Sequence, residues 1–98
     1  MNFKCKMSEK MKLTLHQQEC IGNSKFDGQI LFTRTFEEQF SDKTTDIIIA
    51  SMALILSRVK ENIADYLQVL TVQTSTDIIK FWAIDDGSCV VFLLPEDY

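Results

Sequence analysis

The sequence predicts an α+β domain: an antiparallel sheet of about five strands, in the order β-β-α-β-β-β, packed against one long helix. Three observations carry that reading. Residues 11–18, MKLTLHQQ, alternate apolar and polar side chains with the period of two that marks a half-buried strand. Apolar residues at 48, 52, 55, 59, 63 and 66 recur every three or four positions, the spacing of one helix face. Residues 78–84 and 89–94, IIKFWAI and CVVFLL, are β-branched and aromatic runs on either side of Asp85-Asp86-Gly87-Ser88.

The 98 residues make one domain, 1–98, with residues 1–10 read as a flexible basic N-terminal segment. Its Lys4, Lys6 and Lys10, with Lys12 just beyond, face only Glu9 in charge. They read as a solvated terminus, with an arm that docks acids or phosphates as the alternative. The first strand begins at Met11, pointing Met11, Leu13 and Leu15 to one side. IGNSKFDG follows as turn and loop, rich in Gly, Asn, Ser and Asp. QILFTRTF, residues 29–36, forms the second strand with Ile30, Phe32, Arg34 and Phe36 on one face, and pairs with the first as a long-looped hairpin.

Ser41 or Asp42 offers an N-cap for the helix, and Asp42 and Asp46 suit the positive end of its dipole. Within it IIIASMALIL, residues 47–56, is apolar on every side. Ten residues are too few for a bilayer, which takes about twenty, so this half is buried or covered by something else. LQVLTVQ, residues 67–73, reads as the third strand because of its Val and Thr content. The fourth and fifth strands follow, and Pro95 ends the last because it has no N–H to give a ladder. This element order is similar to that of roadblock and longin domains, a likeness of order and length. It implies dimerisation and scaffolding of other proteins.

Asp86-Gly87 reads as a two-residue hairpin turn, since Gly reaches positive φ without strain. That turn sets Asp85 opposite Ser88, Ile84 opposite Cys89, and Trp82 opposite Val91. One face then carries Ile79, Phe81, Ala83, Val90, Phe92 and Leu94. The other carries Ile78, Lys80, Trp82, Ile84, Cys89, Val91 and Leu93, all apolar but for Lys80. An antiparallel sheet normally keeps one wet face. Here both want cover, and one helix shelters one of them. The second face amounts to on the order of 400–600 Å², as large as the apolar patches monomers tolerate. Covering it is worth roughly 10 kcal/mol before ordering and association costs. Residues 1–10, a second copy of the chain, or a different protein are the possible covers. The candidate interface is therefore Ile78, Lys80, Trp82, Ile84, Cys89, Val91 and Leu93.

Catalytic chemistry finds no foothold. Asp85 and Asp86 read as turn chemistry, His16 as a solvated residue on the polar side of its strand, and Cys89 as a small apolar strand residue. Glu61 and Asp65 stand four apart on the expected helix, the usual pattern of a wet face. No phosphate loop, dinucleotide fingerprint or nucleophile elbow occurs, and Cys5, Cys20 and Cys89 lack metal-ligand spacing. A net charge of −4 speaks against nucleic acid. No long apolar segment speaks for a membrane, and the sparse cysteines without a signal peptide point to the cytoplasm. The expectation is a small non-catalytic interaction protein, without cofactor or metal. It serves as adaptor, regulatory subunit or inhibitor, and homodimerises or docks on a partner protein through an apolar sheet or helix surface. The alternative is a small-molecule-binding regulatory domain with its ligand between helix and sheet.

Overall fold

A computed structural model describes residues 11–98. The readings made for residues 1–10, as basic arm or as cover, lie outside the described residues. The elements run β1 (Lys12–Leu15), β2 (Gln29–Phe32), α1 (Arg34–Phe40), a 3-10 turn (Ser41–Lys43), α2 (Thr44–Lys60), β3 (Leu67–Gln73), β4 (Ile78–Asp85), β5 (Cys89–Leu93) and a last 3-10 turn (Pro95–Asp97). The α+β expectation holds: five strands, mostly antiparallel, pack against helix. The sheet order is β1-β3-β4-β5-β2.

The first two strands do not form a hairpin. β1 runs antiparallel beside β3 at one edge, and β2 runs parallel to β5 at the other. Five strands at about 4.8 Å spacing put these edges roughly 19 Å apart. Residues 16–28 therefore cross the end of the sheet as a strap. Gly22 and Ser24 donate their N–H groups to the carbonyls of Ile63 and Ala64, and Phe26 donates to the Asp85 carboxylate. Phe26 itself is buried at a left-handed φ of 50°. The strap ends at Gly28, where a Cβ would stand 2.3 Å from the Ser88 carbonyl oxygen.

The second strand also stops earlier than its aromatic alternation implies. Thr33 takes extended dihedrals and its hydroxyl accepts the Phe36 N–H, which caps α1. Phe36 and Phe40, four residues apart, then share the buried side of a helix instead of a strand face. Ser41, at φ 50°, caps the C-terminus of α1 by donating its N–H to the Glu37 carbonyl. Neither it nor Asp42 is the N-cap of α2, a place that Lys43 takes at the end of the 3-10 turn. Nor does α2 reach positions 63 and 66 of the predicted apolar stripe. It ends at Lys60, where Asn62 takes φ 61° and donates to the Val59 carbonyl. Glu61 and Asp65 therefore do not share a helix face.

Both helices lie on one side of the sheet. Phe36 packs edge-on to Phe40 and Phe81, at 4.8 and 5.3 Å between ring centroids, and tilted against Phe92 at 5.8 Å. Ile47, Ile48 and Ile55 of α2 join the same core with Leu70, Val72, Ala83 and Val90 of the sheet. Among the described residues three polar side chains are buried at this depth: Thr44 and Ser51 donate to the Ser41 and Ile47 carbonyls at 2.8 and 2.7 Å, and Gln68 is satisfied across the fold. It accepts from Arg58, and donates to the Gln18 side chain and the Asp65 carbonyl, both at 2.8 Å. Arg58 also donates to the His16 carbonyl at 2.8 Å, so this network ties the end of α2 to the start of the strap.

Candidate interaction surface

The face assignment of the β4–β5 ribbon survives a change in its turn. Trp82 pairs with Leu93, Ala83 with Phe92, Ile84 with Val91 and Asp85 with Val90. That register is two residues off the one a two-residue turn dictates. The cause is Asp86, whose carboxylate accepts the Cys89 and Ser88 N–H groups at 2.7 and 2.9 Å and so widens the turn. Those two backbone bonds, Cys89 first, hold the Asp86 carboxyl below its ordinary range. Asp85 binds the Gly87 N–H as well as that of Phe26, so both aspartates are spent on chain geometry. A shift of two returns each side chain to the same face.

Phe81, Ala83, Val90, Phe92 and Leu94 are accordingly buried beneath the helices, with Ile79 half-buried at their margin. The outer face carries the predicted set. Cross-strand rows on it read Val69–Trp82–Leu93 and Leu67–Ile84–Val91–Leu31. Toward β1 the rows turn polar, with Thr14, Thr71 and Lys80 in one and Lys12, Gln73 and Ile78 in the next. Ile78 is the most open of the predicted residues at 68 % exposure, and Lys80 is exposed too. Trp82, Ile84, Cys89 and Val91 are half-buried, while Leu93 is covered within the chain, 6 % exposed. The sequence reading missed β2 as a contributor: Leu31 extends the apolar row to the sheet edge.

It also missed the C-terminal turn. Tyr98 sets its ring edge-on to Trp82, 5.5 Å between centroids. The turn is stapled by Asp97, which accepts the Thr35 hydroxyl, the Leu94 N–H at 2.9 Å and the Thr33 hydroxyl at 2.8 Å. These bonds, the one from Thr35 foremost, lower the Asp97 carboxyl from its ordinary range. A carboxyl lowered by folding stabilises the fold fully above its unfolded value, and that contribution is lost as pH falls through the lowered one. Acidification below the ordinary carboxylate range should therefore release the turn. Fluorescence of Trp82, the single tryptophan, should report a step that is absent in Asp97→Asn.

The other polar candidates are dispersed. His16 places Nε2 3.0 Å from the Thr71 hydroxyl beside β1, whereas Cys89 lies next to Gln29 at the opposite edge. Among the described residues no three His, Cys, Asp or Glu side chains gather as metal ligands, and no helix is long and apolar enough to cross a membrane. A groove of about 490 Å³ opens near β1 between His16, Glu19, Tyr66 and Lys80. Compared with protein-family models, curated proteins and solved structures, the chain matches none.

Proposed function

We propose that the chain is a small, non-catalytic protein–protein interaction module that docks a partner protein on the outer face of its sheet. One observation carries this reading: both helices lie on the inner face, while the outer face holds two adjoining apolar rows. In them Leu93 is covered within the chain, but Leu67, Val69, Trp82, Ile84 and Val91 stay partly open, Trp82 beside Tyr98. Lys80 and Lys12 at the β1 end give that face a positive margin on a chain of net charge −4. The partner it fits presents an apolar anchor beside a carboxylate. The space between helices and sheet is occupied by the rings of Phe36, Phe40, Phe81 and Phe92, which favours docking over a ligand held there.

The test uses photo-crosslinking side chains at Ile78 and Val91, with one at Lys43, next to α2, as the control. A single protein crosslinked from the sheet positions and not from the control supports the reading. Trp82→Asp, and Ile78→Asp as a variant too exposed to disturb folding, should each weaken its capture about tenfold or more. Capture unchanged by both substitutions would refute it.

A further inference from the structure

The solvent side of α2 is not what a surface helix shows. At about 100° per residue, positions 49, 53, 56 and 60 fall within a narrow stripe opposite the buried Ile47, Ser51 and Ile55. A helix lying on a sheet carries charged residues there. Here the stripe reads Ile49, Ala53, Leu56, Lys60, with Ile49 51 % and Leu56 43 % exposed.

Its relief is specific. Ala53, Leu56, Ser57 and Lys60 stand at i, i+3, i+4 and i+7, the four corners of the hole that receives a side chain in knobs-into-holes packing. With Val59 they line a groove of about 440 Å³, deepened by the small side chains of Ala53 and Ser57. We infer that its occupant is Ile49 of a second copy of this chain, the two α2 helices packing antiparallel about a two-fold axis at Ala53. The numbering closes on itself. An axis at residue 53 sets position 49 against 57, at the hole, and position 46 against 60. Asp46 of each copy then faces Lys60 of the other, whereas a parallel pair would set Asp46 against Asp46. Antiparallel helix dipoles also attract. Two helices of this length bury roughly 800 Å² in total, less than a standard stable interface, so the dimer is a weak and reversible one. This contact lies on the face opposite the docking surface proposed above and does not depend on it.

Sedimentation equilibrium over the micromolar range tests the inference, with circular dichroism confirming that each variant is folded. The native chain should show a reversible monomer–dimer equilibrium, and Leu56→Glu should be monomeric. Asp46→Lys alone and Lys60→Asp alone should each weaken the dimer about fivefold to tenfold, by placing like charges opposite one another twice. An equimolar mixture of those two variants should associate, because each supplies the charge that the other lacks. Ile78→Asp, on the sheet face, should leave the dimer unchanged. A native chain monomeric throughout, a mixture no tighter than its components, or a dimer abolished by Ile78→Asp would each overturn the proposal.

Discussion

Phe36→Ala should lower the free energy of unfolding by about 4 kcal/mol, the range for removing a phenyl ring from a closed core. Domains of this size are stable by roughly 5–15 kcal/mol, so the loss is a large share of the total. The magnitude follows from position. Phe36 is fully buried and is the ring that Phe40, Phe81 and Phe92 all touch. Its loss removes aromatic contact from α1 and from two strands at once, leaving Phe40 against Phe81 as the one ring that still anchors this short helix. Urea unfolding followed by circular dichroism checks the value. A loss under about 1 kcal/mol would place Phe36 outside the core, where a surface aromatic belongs.

Gly28→Ala should cost about 3 kcal/mol, for steric reasons alone. The added methyl would lie 2.3 Å from the Ser88 carbonyl oxygen and 2.7 Å from its carbon. Both are backbone atoms in the β4–β5 turn, so no side chain can rotate away. Either β2 leaves β5 or the turn deforms. Gly87→Ala is the matched comparison. Nothing lies within 4 Å of that position, but its φ is 99°, which a side chain tolerates poorly, and a cost of about 1 kcal/mol is expected. Equal losses for the two alanines in urea unfolding would contradict the close approach of strap and turn.

The C-terminal meander was legible because its signals are local. Alternation in IIKFWAI and CVVFLL fixes which side chains share a face, and an acidic turn with Gly joins them. Only the width of that turn escaped, because Asp86 satisfies two N–H groups that a shorter turn would have left to the ladder. The N-terminal half was harder to read for a physical reason. An edge strand such as MKLTL or QILF carries the same pattern whichever neighbour it pairs with, so adjacency in sequence was a poor guide to adjacency in the sheet. α1 was hidden by Phe32, Arg34 and Phe36, whose alternation outweighed the spacing of Phe36 and Phe40 and the capping potential of Thr33.

The apolar set on the second face was readable from alternation alone. That no helix shelters it depends on where α1 goes, and α1 joined α2 on the inner side. The satisfied group at Gln68 gave no sequence signal, since its partners Gln18 and Arg58 are brought to it only by the strap and the helix end.

The placement of β1 and β2 on opposite edges also sets an order of assembly. Residues 44–93 hold α2 and the three central strands in unbroken succession, joined by short connections, so this half closes with low contact order and can form the folding nucleus. β1 and β2 have no template until β3 and β5 are in place, and they dock last, drawn in by a strap that must first traverse the sheet end. The same strands are then the first to let go, so amide protons of Ile30 to Phe32 exchange through local opening while those of β4 wait for global unfolding.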